Sequence, residues 1–235
     1  MNELWSTLAA RANIELSPEQ YEKLSRYLDL LSAANERMNL TRITDRAQAE
    51  LNHIADALTL LPFLPPGPCR IADIGSGGGV PAIPLKICRP DAFVLMIEST
   101  QKKGKFLDET IAALGLTDIA VVSDRAETAG HNPKCRDSFD VVTARAVATM
   151  PWLAEWCLPL VKKRGKMLAM KGPKVAEELP LNVRTLRFLG GGEPIIHPVD
   201  LPGTEHRVIV EIPKVSKTDD RFPRPATEAK GNPLN

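Results

Sequence analysis

The run Ile71-Ala72-Asp73-Ile74-Gly75-Ser76-Gly77-Gly78-Gly79-Val80 constrains this chain more than any other stretch. A short apolar segment carrying an acidic residue passes directly into a glycine-dense turn. Pro81 with Ile83, Leu85 and Ile87 then reads as the start of a helix. Strand, tight turn and helix N-terminus together form a junction at which backbone approaches a ligand closely. Twenty-three residues beyond Gly75, the next apolar run, 93–97, ends in Glu98. A carboxylate at that distance is placed to hold the two hydroxyls of a ribose. These features predict a nucleoside-bearing cofactor, and register narrows which one.

The dinucleotide fingerprint requires a third glycine or alanine where Val80 stands, and the alternative register Gly77-x-Gly79-x-x-Ala82 puts the turn two residues late. No GxxxxGK loop for a nucleoside triphosphate is present. The pattern Asp73-x-Gly75-x-Gly77-x-Gly79 instead resembles the first motif of the class I S-adenosylmethionine-dependent methyltransferases. Their cofactor has no phosphate, so a wide glycine turn that admits the methionine and ribose is sufficient.

The surrounding chain alternates short apolar runs with helical patterns. Runs at 71–74, 93–97, 119–122, 139–143 and 167–170 have the continuous apolar character of parallel strands covered on both faces. A last strand is expected over 206–212, with Ile195-Ile196 as its partner. This rhythm predicts a Rossmann-like α/β fold, a mostly parallel sheet with helices on both faces. Ahead of it, residues 1–64 read as a helical extension. Ser17-Pro18-Glu19-Gln20 is a capping box with proline at the first helical position, and Tyr21, Leu24, Leu28 and Leu31 follow on one face. A second helix carries Leu51, Ile54, Ala55, Leu58 and Leu61, and Pro62, Pro65, Pro66 and Pro68 close the segment. The cofactor-binding core then spans 65–213, and 214–235 reads as a basic, proline-bearing, mobile tail.

Composition excludes several classes. The 30 basic and 29 acidic residues nearly cancel, so any basic surface must come from distribution rather than surplus. No apolar run approaches the roughly 20 residues that cross a bilayer, and no secretory signal opens the chain. Cys69, Cys88, Cys135 and Cys157 are widely spaced, and His53, His131, His197 and His206 lack ligand spacing. No metal, no disulfide framework and a reducing cytoplasmic setting are expected.

The strand ends supply the candidate chemistry: Asp73 and Gly75, then Glu98, then 123–127, then Thr143-Ala144-Arg145-Ala146, then Lys171-Gly172. An arginine at a strand's carboxyl end is well placed for a carboxylate or phosphate. Resemblance to class I enzymes implies that Ala126 and Glu127 flank an adenine. Asn39-Leu40-Thr41, His53-x-x-Asp56-Ala57-Leu58, the glycine turn with Pro81-x-Ile83-Pro84-Leu85, Thr143-Ala144-Arg145-Ala146 and Lys171-Gly172 follow in one order. That succession resembles the bacterial RsmG family, also called glucose-inhibited division protein B, over nearly the whole chain. Pro81-Ala82-Ile83-Pro84 carries alanine where that family usually has glycine, and Ala57 stands where serine is common. The resemblance implies S-adenosylmethionine-dependent methylation of guanine N7 in 16S ribosomal RNA of the small subunit. Its cofactor positions map to Gly75, Val80, Ala126, Glu127 and Arg145, beside Asp73, Gly77 and Glu98 from the turn. Arg145 and Lys171 are the expected positioning residues at the guanine. Guanine N7 carries a free lone pair and no proton, so no general base is expected, and His53 reads as a structural helix residue.

Overall fold

The computed structural model describes residues 2–204, 207–231 and 234. Two helices open it, α1 (Glu3–Ala10) and α2 (Pro18–Met38). The capping box forms as expected: Gln20 N–H donates to Ser17 Oγ at 3.2 Å, and Ser17 N–H donates to the Gln20 side chain at 2.9 Å. Asn39, in the left-handed region, ends α2. The expected second helix is broken into three pieces, α3 (Arg46–Ala49), a π-helical turn (Glu50–Ala55) and α4 (Asp56–Leu58).

The core alternates β1 (Arg70–Ile74), α5 (Ala82–Cys88), β2 (Phe93–Ile97), α6 (Gln101–Ala113), β3 (Ile119–Val122), α7 (Ala126–His131), β4 (Phe139–Arg145), α8 (Met150–Cys157), β5 (Val161–Lys171) and α9 (Val175–Phe188). It ends with β6 (Ile195–Pro198), β7 (Val208–Pro213) and α10 (Ala226–Gly231). The seven strands lie in the order β3-β2-β1-β4-β5-β7-β6, and only the β5–β7 and β6–β7 pairs are antiparallel. This is the doubly wound sheet that the alternation predicts. The expected partnership of the last two strands also forms, with Ile196 opposite Val210. Of the expected run 206–212, His206 lies outside the described residues and the strand begins at Val208.

Side chains alternate between two apolar layers. Ile71, Val94, Met96, Val141 and Leu168 face α1, α2, α5 and α6. Ala72, Leu95, Ile97, Val142, Met167 and Ala169 face α8, α9 and Phe222. Burial on both faces is why these strands read as continuous apolar runs. The four cysteines are buried and unpaired. No helix among the described residues is long and apolar enough to cross a membrane.

The C-terminal segment departs from expectation. Rather than lying free, 214–231 is strapped across the second face. The Lys214 ammonium, pulled down to about 8 by burial, donates to the carbonyl of Leu158 at 2.5 Å. Arg136 donates to the carbonyls of Thr218 and Phe222 at 2.9 and 2.7 Å. The Phe222 ring packs edge-on against Phe188, 5.4 Å between centroids. Arg224 closes a buried fork on Glu155 of α8, Nε to Oε1 at 2.8 Å and Nη2 to Oε2 at 2.7 Å. A high content of proline and charge suggested disorder. Partners far along the chain supply the compensating contacts.

Candidate functional site

The register aligns the carboxyl ends of the strands: Ile74 lies beside Ile97 and Ala144, and Ile97 beside Val122. Strand order reverses between β1 and β4, and the crevice at such a switch point is where ligands sit in open α/β sheets. The glycine turn follows β1 there. Gly75 has φ +69°, and a Cβ on it would lie 2.9 Å from Val147 Cγ2, so both conformation and space demand glycine. A Cβ on Gly78 would lie 2.8 Å from Leu31 Cδ1, because α2 lies directly on the turn. Tyr27 of α2 donates its hydroxyl to the Gly78 carbonyl at 2.8 Å, and burial pushes its pKa upward.

Two acidic residues brace the turn. Glu98 Oε2 accepts from the Gly77 N–H at 2.9 Å, and Oε1 accepts from the Thr100 N–H at 2.8 Å. Its carboxylate therefore ties the end of β2 to the turn as well as lying at the strand end. Asp73 sits inside β1, 1% exposed, with Oδ1 accepting from Thr143 Oγ1 at 2.8 Å. Its Oδ2 is buried with no partner among the described residues. Burial raises this carboxyl to about 7, against the Ser76 and Thr143 contacts and the charge of Arg145.

Two cavities share Gly75. The larger, about 470 Å³, runs over β2 and β3, where Ser99, Ala126, Glu127, Val147, Trp152 and Trp156 line it and Ala226 of α10 closes its rim. Trp152 and Trp156, four residues apart on α8, meet edge to face at 6.1 Å. The smaller, about 210 Å³, lies on the other side of the turn against Gly77, Val80, Arg145, Leu40, Thr41 and His53. Of the residues the motifs single out, Ala126 and Glu127 line the larger cavity, Gly77, Val80 and Arg145 the smaller, Gly75 both, and Asp73 and Glu98 neither. Lys171 lines neither cavity. Its ammonium donates to the Ala148 carbonyl at 2.8 Å and pairs with Glu178 at 3.2 Å, so it supports the loop after β4 from beneath.

Arg145 is held by residues that the strand-end reading passed over. Its Nη1 donates to the Asn52 carbonyl at 2.8 Å and pairs with Asp56 Oδ2 at 3.2 Å. Arg207 pairs with Asp56 Oδ1 at 2.9 Å and donates to Asn52 Oδ1 at 2.7 Å. Burial lowers the Arg145 pKa, and Asp56 opposes that shift. The π-turn brings His53 to the same place. Its Nε2 meets Thr41 Oγ1 at 3.1 Å, and burial first, then Arg145, depresses it to about 4. A wide π-turn is a frequent device at functional sites. The spacing His53-x-x-Asp56 carried the only sequence signal for this cluster, while Arg207 carried none. The four-residue spacing of Trp152 and Trp156 was a readable sign of an aromatic wall. No cluster of three or more metal-ligating side chains occurs among the described residues.

Comparison with known proteins bears on this geometry. The family model described as rRNA small subunit methyltransferase G matches residues 20–199. A ribosomal RNA small subunit methyltransferase G from Lactobacillus delbrueckii subsp. bulgaricus is 41% identical over 236 residues, covering 99% of each chain. One from Exiguobacterium sp. is 43% identical over the full length of both chains, 237 aligned residues. One from Chloroflexus aggregans is 44% identical over 211 residues, 90% of this chain and 89% of that one. Among solved structures, a SAM-dependent methyltransferase from Aquifex aeolicus superposes with TM-score 0.57 at 15% identity, over 75% of this chain and 97% of that one. A 16S rRNA (adenine(1408)-N(1))-methyltransferase variant from Catenulisporales acidiphilia, solved with its cosubstrate SAM, gives TM-score 0.51 at 17% identity, over 64% and 87%.

Proposed function

This chain belongs to the rRNA small subunit methyltransferase G family, and from that premise we propose how its strand-end crevice works. The protein is an S-adenosylmethionine-dependent enzyme that methylates N7 of a guanine in 16S ribosomal RNA. The observation that carries the site assignment is the pair of cavities joined at Gly75, one long and apolar-walled, one small and beside a guanidinium.

The residues present fit the cofactor. The larger cavity has the volume of a small-molecule site, and the glycine turn leaves room where any side chain would intrude. Asp73 Oδ2, buried and unpartnered, suits an ammonium that reaches it directly or through water. Gly75, which lines both cavities, then meets the methionine part where they join, with Gly77 and Val80 bordering the turn from the smaller cavity. Glu98 acts through the turn by holding the Gly77 N–H, and Ala126 with Glu127 reads the adenine. When bound, the cofactor supplies a methyl group already activated by the sulfonium charge.

The protein's own share is placement. Asp56 and Asn52 aim Arg145 at the smaller cavity, where it orients the guanine or its phosphate. Lys171 acts one step back, by holding the 146–149 loop. Guanine N7 needs no proton removed, which agrees with a neutral, buried His53 that only pins Thr41. A base in folded RNA must be presented unpaired or extruded. In this reading the helical segment walls the guanine side through Leu40, Thr41 and His53, the core holds the cofactor, and the C-terminal segment closes the adenine side through Ala226. The small ribosomal subunit is the partner and the cytoplasm the setting.

The test is transfer of labelled methyl from S-adenosylmethionine to small subunits that lack the modification, followed by nucleoside analysis. Label is expected in 7-methylguanosine, and label in ribosomal protein rejects the reading. Arg145→Ala is expected to lower kcat/KM about 10²-fold or more, on the scale of a lost oriented charge contact, together with a fall in melting temperature, because buried Asp56 keeps only Arg207 as its partner. Full activity in that variant removes Arg145 from the site.

A further inference from the structure

A third cavity adjoins the smaller one and shares no lining residue with the larger. It is open and polar, about 1120 Å³, and is lined by Asn35, Glu36, Asn39, Thr41, Arg42, Thr44, Lys103 and Ala146. It meets the small cavity at Leu40, Thr41 and Ala146, which line both. We propose that this trough binds the phosphodiester backbone of the RNA strand next to the methylated guanosine, with Arg42 and Lys103 as its phosphate contacts. The inference rests on RNA being the methyl acceptor and goes beyond it by locating where the strand runs.

Three observations carry it. First, the cations around the crevice divide into two groups. Arg46, Arg145, Lys171 and Arg207 are each paired with a carboxylate. Arg42 and Lys103 make no side-chain hydrogen bond or ion pair to a described residue, nor does Arg125 beside the larger cavity, but only Arg42 and Lys103 line the trough, where Lys103 is half-buried. One carboxylate, Glu36, also lines the trough, so its three charged side chains sum to a net positive charge.

Second, the segment that carries Arg42 is held in shape on both sides. Thr41 N–H donates to Asn35 Oδ1 at 2.8 Å, and Ile43 N–H donates to Thr41 Oγ1 at 3.0 Å. His53 holds the same hydroxyl from the π-turn. A pinned loop presents its arginine at low entropic cost, which an arginine serving only solubility does not need.

Third, the lining suits a sugar–phosphate chain rather than a second small molecule. The Asn35 and Asn39 amides and the Thr44 hydroxyl line the open surface together with the two cations. Phosphate contacts of this kind fix the register of a nucleic acid and leave base selection to the adjoining pocket. Continuity with the small cavity gives an extruded guanosine and its neighbouring phosphates one path.

The experiment measures methyl transfer to unmodified small subunits as a function of salt, for the full-length protein and for Arg42→Ala/Lys103→Ala. Loss of two phosphate contacts on a single strand is expected to reduce the slope of log(kcat/KM) against log[salt] by about 1.4 in magnitude. KM for RNA should rise, while S-adenosylmethionine affinity by calorimetry stays unchanged. Arg42→Lys/Lys103→Arg should restore the slope, since each contact is electrostatic. An unchanged slope and KM overturn the trough, and so does a loss of cofactor affinity, which would mark the loop as part of the cofactor site. If the unaltered protein places no label in RNA, the parent reading fails first.

Discussion

Residues 3–38 reach the crevice through apolar contact and neutral hydrogen bonds, whereas residues 214–231 reach it through a buried ion pair. On the first face Leu24, Leu28 and Leu31 bury one stripe of α2, each contributing about 1.5–3 kcal/mol, and Tyr27 adds a single hydroxyl contact to Gly78. On the second, Arg224 and Glu155, 9% and 2% exposed at their side chains, bind in a fork. The α8 helix that holds Glu155 also carries Trp152 and Trp156 into the larger cavity. The difference teaches that the two walls fail differently. Apolar contact erodes in proportion to what is removed. A buried charge left without its partner costs its full desolvation.

Three changes sharpen this contrast. The largest effect is expected from Arg224→Ala, which strands the Glu155 carboxylate and should cost about 3–5 kcal/mol in urea unfolding. Glu155→Leu/Arg224→Met, which removes both charges, should recover most of that loss. A single variant that costs less than about 1 kcal/mol would show that the strap is not held by this pair.

Next comes Asp73, whose side chain points to the face that α2 covers. Its folded-state carboxyl, raised to about 7 from 3.8, keeps its proton to higher pH than the unfolded chain does. Stability from this group therefore falls as pH rises from about 4 to about 7. Asp73→Asn should flatten that fall and stabilise the cofactor-free protein at pH 8 by an amount on the order of 1 to a few kcal/mol. The same variant should weaken S-adenosylmethionine binding, since the amide no longer offers an anionic acceptor. Melting curves at pH 5 and pH 8 together with calorimetry test both halves, and a parallel pH dependence in the variant would contradict the buried-acid reading. The smallest effect belongs to Tyr27→Phe, about 0.5–1.5 kcal/mol for one neutral hydrogen bond. It should raise KM for the cofactor slightly through the turn, and a larger loss than Arg224→Ala would reverse the ranking of the two walls.

Much of the scaffold was legible because local chemistry decides it. Ser17 and Gln20 form the capping box, the apolar runs become the parallel strands, and the glycine turn sits at the reversal of strand order. The candidate site was legible where backbone geometry decides it, at Gly75 and Gly77, both in the left-handed region. It was opaque where side chains meet across long separations. Nothing near Arg207 in the chain announces that it shares Asp56 with Arg145, 62 residues earlier. The π-turn at 50–55 has ordinary residues, and nothing in their order marks it off from the helix expected there. Lys171 was read by position at a strand end, and its pairing with Glu178 turns it under the loop instead.

By itself, then, the sequence determined the order of strands and helices, the glycine turn and the kind of cofactor it suits. Hydrophobic period, capping and the left-handed backbone of glycine act over a few residues. Tertiary structure alone decided which cations are spent on carboxylates and which remain for a ligand, and it laid the C-terminal segment over α8. Electrostatic pairing and burial depend on distances through space, and the spacing of residues along the chain does not encode them.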